Sequence, residues 1–84
     1  MENNRPTYNQ YKSLVDNHIA SGKLDESQAI ILLKTYQKSL EGSPVNINFL
    51  MSIAGLTWKQ INWTLNGLVL RKAIKKVDKN WYTI

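Results

Sequence analysis

At Arg71 the apolar pattern of this chain changes period, and that change constrains the fold more than any other feature. Upstream, apolar side chains recur at helical spacings. Downstream, A-I-K-K-V at 73–77 and W-Y-T-I at 81–84 alternate around a D-K-N turn at 78–80, which reads as a β-hairpin. The expected class is therefore mainly α with a small β-hairpin. The 84 residues lie near the lower size at which a single core holds without metals or crosslinks, and a 43% hydrophobic content is enough to attempt one. There is no cysteine, which excludes a disulfide framework and a thiolate metal site.

Punctuation divides the helical part. Residues 7–21 place Tyr8, Tyr11, Leu14, Val15 and Ile19 on a helical stripe, and Gly22 follows where a left-handed residue belongs. D-E-S-Q at 25–28 has the form of a capping box, with Asp25 as N-cap and Gln28 as its partner. The helix it starts runs to about Glu41 with Ala29, Ile30, Leu32, Leu33, Tyr36 and Leu40 as its apolar face, and it stops at Gly42-Ser43-Pro44. Val45-Asn46-Ile47 suits a short strand. Asn48 is the expected cap of a brief helix carrying Phe49, Leu50, Ile53 and Ala54, which ends at Gly55; Thr57 caps the next.

On that last helix Thr57, Leu65, Leu68 and Lys72 fall within about 40° of Ile61, while Lys59, Asn62, Trp63 and Asn66 lie roughly 100–200° away. Trp58, at about 60°, sits at the edge of the buried arc. Trp63 is thus the outward indole of the pair. In the last strand Trp81 and Tyr82 adjoin, so one of them points inward and the other outward.

The net charge of +5 is not spread evenly. Residues 1–42 hold five basic and five acidic side chains, Glu2 among the latter, whereas residues 43–84 hold six basic and only Asp78. A localised excess of this kind fits a polyanionic partner; the plainer reading is a solvated surface.

The stretch from about residue 26 to 84 resembles a winged helix-turn-helix domain, the fold of many small bacterial, archaeal and phage regulators. The resemblance rests on L-M-S-I-A-G-L-T at 50–57 followed by Ile61, Leu65, Leu68 and Ile74. It departs from the common pattern at Met51, where a small alanine is usual, and at Lys72, where a glycine often begins the wing. The resemblance implies that 57–70 is a recognition helix entering the major groove and that 73–84 is the wing beside it, with Tyr82 and Ile84 toward the core and Trp81 left on the basic side, where it is expected to cover the recognition helix. It leaves 1–25 as an added N-terminal helical segment ahead of a winged unit at 26–84.

The chemistry of the exposed residues agrees in part. Amides bond adenine edges in two places, and lysine or arginine reaches guanine or phosphate. The expected double-stranded DNA contacts are Thr57, Lys59, Gln60, Asn62, Trp63 and Asn66 on the helix, with Arg71, Lys75, Lys76 and Lys79 toward the backbone. The rival reading is a protein-interaction module, such as a phage-type inhibitor or adaptor presenting Trp63 to a host protein, because exposed tryptophans concentrate in protein interfaces. Tyr8, Tyr11, Val15 and Ile19 suggest a homodimer through the first helix; they equally suit packing within the chain. His18 is the only histidine and the carboxylates are scattered, so no catalytic constellation, metal site or cofactor motif is read here. With neither a signal-peptide pattern in MENNRPTYNQ nor a membrane-length apolar run, the sequence reads as cytoplasmic, and the winged-helix resemblance implies a transcription, replication or partition regulator of the phage or plasmid kind.

Overall fold

The computed structural model describes residues 5–84; residues 1–4, with Glu2 of the charge balance and the beginning of the 1–25 segment, lie outside the described residues. Four helices and a three-stranded antiparallel sheet follow in the order α1 (Tyr8–Ala20), α2 (Glu26–Leu40), β1 (Val45–Asn46), α3 (Ile47–Ala54), α4 (Trp58–Leu70), β2 (Lys75–Asp78) and β3 (Trp81–Thr83). An added N-terminal helix thus precedes a winged-helix-like arrangement. No helix among the described residues is long and apolar enough to cross a membrane.

Helix starts follow the capping residues. Asp25 and Gln28 exchange both bonds of a capping box, the Asp25 carboxylate accepting from Gln28 N at 2.8 Å and the Gln28 carbonyl oxygen from Asp25 N at 2.9 Å. Thr7 with Gln10 and Thr57 with Gln60 repeat the device. The cap of α3 is Asn46, not the expected Asn48: the Asn46 side chain accepts from Asn48 N at 2.8 Å, so the strand is two residues long and Ile47 already belongs to the helix. Ile47 N nevertheless donates to the carbonyl of Asn80, tying the start of α3 to the hairpin turn at 2.8 Å.

All four helices end in the same way. Just past each helix one residue turns left-handed, and its amide and the next bond back to the last turn. Gly22, Gly42 and Gly55 hold that position after α1, α2 and α3, at φ +79°, +79° and +66°; Lys72 holds it after α4, at φ +62°. Lys72 is therefore beyond the helix and exposed, not on the Ile61 face as its spacing suggested.

The core joins Ile31 and Leu32 of α2, Val45, Ile47 and Leu50, the α4 residues Ile61, Leu65 and Leu68, and Ile74 and Tyr82 of the hairpin segment. Each fully buried aliphatic side chain of this kind contributes about 1.5–3 kcal/mol relative to exposure. Met51, the bulky departure from the resembled pattern, packs half-buried against this cluster. The face of α2 differs from expectation. Ile31 is fully buried while Ile30 and Leu40 are exposed, because the buried arc is centred nearer Thr35 and Ser39. Those hydroxyls enter the interior by donating to carbonyls of their own helix, Thr35 Oγ1 to Ile31 O at 2.7 Å and Ser39 Oγ to Tyr36 O at 2.8 Å.

Helix α1 packs along α2. Val15 is buried, and the Tyr11 ring stacks on Tyr36 with centroids 3.9 Å apart and planes within 8°. The Arg5 guanidinium lies over the other aromatic partner, 5.5 Å from the Tyr36 centroid, and the Tyr36 hydroxyl donates to the Pro6 carbonyl. Of the stripe Tyr8, Tyr11, Val15 and Ile19, two members are thus engaged by α2 of the same chain; Tyr8 is half-buried and Ile19 is exposed.

The sheet order is β1-β3-β2, with Val45 opposite Tyr82 and Asn46 opposite Trp81. On the other side Lys75 pairs with Thr83, Lys76 with Tyr82 and Asp78 with Trp81, so Val77 is bulged out of register. Tyr82 is the buried member of the adjacent pair, as the wing pattern implies, and Trp81 keeps 42% of its surface exposed.

Candidate nucleic-acid interface

Helix α4 is pinned from one side. Ile61, Leu65 and Leu68 are fully buried, which fixes the rotation of the helix and turns the opposite face to solvent. Trp63 stands there with 81% of its surface exposed, between Lys59 one turn before and Asn66 one turn after. Leu70, seven residues beyond Trp63 and therefore on the same face, is 83% exposed. Its seven-residue spacing from Trp63 is legible in the sequence, but an apolar side chain carries no hydrogen-bonding signal for a DNA contact.

The expected contact residues divide by what their polar atoms already do. Thr57 Oγ1 accepts from Gln60 N at 3.2 Å, and Gln60 Oε1 accepts from Thr57 N at 2.9 Å. The Asn62 amide, half-buried, donates back to Trp58 O at 2.8 Å. The Asn66 side chain makes no hydrogen bond among the described residues, and Lys59 is exposed, so these two side chains present their full bonding capacity outward. Trp58 is also more than half exposed, further out than the edge position its spacing gave.

An open cleft of about 530 Å³ brings four of these residues together: Lys59, Gln60, Trp63 and Asn66 face Asp25 and Ser27 at the start of α2. Asp25 is the acidic group of that cleft, and its carboxylate is partly satisfied by the Gln28 amide. The wing residues form a separate set. Lys75 and Lys76 are exposed on β2 and Lys79 is exposed in the turn, whose amide bonds the Asp78 carboxylate at 2.7 Å. Arg71 points elsewhere. As the cap of α4 it reaches the turn between α1 and α2, where Nη1 donates to the Lys23 carbonyl at 3.4 Å.

Between residues 43 and 77 there is no acidic side chain, so α4 and β2 up to Val77 carry positive charge without an internal counter-ion. Comparison with known proteins adds nothing further: no protein-family model, no curated protein and no solved structure matches this chain.

Proposed function

We propose that this chain is a winged helix-turn-helix, sequence-specific double-stranded DNA-binding protein, a cytoplasmic regulator of transcription, replication or partition of the phage or plasmid kind. In this reading α4 enters the major groove and the hairpin meets the backbone beside it. One observation carries it: the face of α4 opposite its buried leucines presents Lys59, Trp63 and Asn66 in an acid-free stretch that continues into a lysine-bearing hairpin. Asn66 is the base-reading amide, Lys59 contacts guanine or phosphate, and Lys75, Lys76 and Lys79 neutralise phosphates. The test is duplex binding by fluorescence anisotropy across a salt series. Changing the three wing lysines to alanine should weaken binding to every sequence and flatten the salt slope by up to about 0.9 per lost phosphate contact. An unchanged slope removes the wing from the interface.

A second reading is favoured by the apolar half of the same face. Trp63 and Leu70 together expose an indole and an isobutyl group along one line of α4, which suits docking against a protein better than lying against phosphates. Under that reading Asn66→Ala leaves any DNA selectivity unchanged. Self-association through α1 would rest on Ile19 and Leu14, since Tyr11 and Val15 face their own chain.

A further inference from the structure

A second open groove, sharing no lining residue with the cleft on α4, runs between α1 and the junction of α4 with β2 and spans about 820 Å³. Its floor is apolar: Val15 and Leu32 are buried, Tyr11, Leu24 and Ile84 are half-buried, and Leu14 projects over them with half its surface exposed. The charged side chains of the rim are of one sign. Lys23, Arg71 and Lys72 line it with His18, and no acidic side chain does. The Arg71 hydrogen bond to the Lys23 carbonyl joins two parts of this rim, and it leaves the other guanidinium N–H groups available to a ligand.

An apolar floor under a cationic rim selects against cations and against uniformly polar ligands, and it rewards a molecule with an apolar body and one anionic head. The volume is in the range of small-molecule sites. A second copy of this chain is a poorer occupant, because each copy carries a net charge of +5. We propose that this groove binds a small amphipathic carboxylate, its alkyl or aryl body over Leu14, Leu24 and Leu32 and its head group held by Arg71 and Lys23. The site is independent of the DNA reading. Its regulatory meaning rests on that reading: Arg71 caps α4 and Lys72 turns the chain toward the hairpin, so the head group sits on the link between the two DNA-facing elements.

The test uses isotopically labelled full-length protein without DNA, titrated with octanoate and, separately, with 1-octanol while amide resonances are followed. Octanoate should give saturable shifts at Leu14, Lys23, Leu24 and Ala73, with an affinity at least about tenfold above that of octanol. The double variant Lys23→Gln, Arg71→Gln, both at exposed positions, should bind the two ligands equally. Leu14→Asp should weaken both. The proposal is overturned by equal wild-type affinity for acid and alcohol, by shifts that never saturate or that map outside the groove, or by concentration-dependent shifts at these residues without ligand, which would mean a second copy fills the groove. DNA titration with and without octanoate then reports the coupling separately, so loss of DNA binding and loss of ligand binding remain distinguishable.

Discussion

Replacing Lys72 by glycine should make this protein more stable, although it deletes a side chain and touches no core residue. Lys72 sits at φ +62°, in the left-handed region, at the position where α1 and α2 use Gly22 and Gly42 to complete the same pair of backbone hydrogen bonds. A residue with a Cβ loses roughly 1–2 kcal/mol there. Glycine recovers that strain but gives back about 0.4–1 kcal/mol through the larger freedom of the unfolded chain. The expected net gain is centred near about 0.8 kcal/mol, with bounds of about 0 and 1.6, which corresponds to about 3–6 °C in Tm at the centre for a domain of this size. Urea unfolding followed by circular dichroism measures it, with an unchanged m-value showing that the comparison is between like states. Lys72→Asn should fall between lysine and glycine, since asparagine tolerates the left-handed region, and Lys72→Ala should change stability by less than about 0.5 kcal/mol because it keeps the Cβ. If alanine stabilises as much as glycine, the effect comes from removing a charge and the backbone argument is refuted.

Asn66→Ala should cost about 1–3 kcal/mol of discrimination between preferred and random duplexes, whereas Trp63→Ala should lower affinity with little change in Tm; anisotropy and thermal melts distinguish them, and a large fall in Tm would mean the indole is covered. Val15→Ala should destabilise by about 2 kcal/mol and Ile19→Ala by less than about 0.5, in urea, because α1 buries the first and not the second; the reverse order would make α1 an appendage. Burial, and then the neighbouring Tyr36, push the Tyr11 phenol up from 10 to about 12. Its folded-state pKa lies above the unfolded one, so its contribution is whole below pH 10 and is lost as pH rises through about 12; Tyr11→Phe should lose less stability over that window in alkaline melts.

What could be read from the sequence was local. Caps and stops work within four residues, so Asp25 with Gln28, Thr57, Gly22, Gly42 and Gly55 located most helix ends, and the angle between Trp58 and Trp63 was enough to send Trp63 outward. The errors arose where two local solutions competed. Asn46 and Asn48 are both capping residues two positions apart, and only the hairpin turn at Asn80 decides which one caps. On α2, Thr35 and Ser39 look like a polar face until their hydroxyls are seen returning to the helix, and this swung the expected core toward Ile30 and Leu40. The direction of Arg71 was not legible at all, because it depends on a carbonyl 48 residues away.

The bulge at Val77 has a consequence for solubility. β2 is an edge strand of the sheet, and its unpaired side would invite another chain to extend it. An extra residue kinks that edge, exposed lysines at 75 and 76 charge it, and β1 at the opposite edge is too short to act as a template. The lysines assigned to phosphate therefore also keep copies of the molecule apart. Neutralising them removes a guard against strand-to-strand assembly, and aggregation of the alanine variant would come from the geometry of an open edge even if no nucleic acid ever touched it.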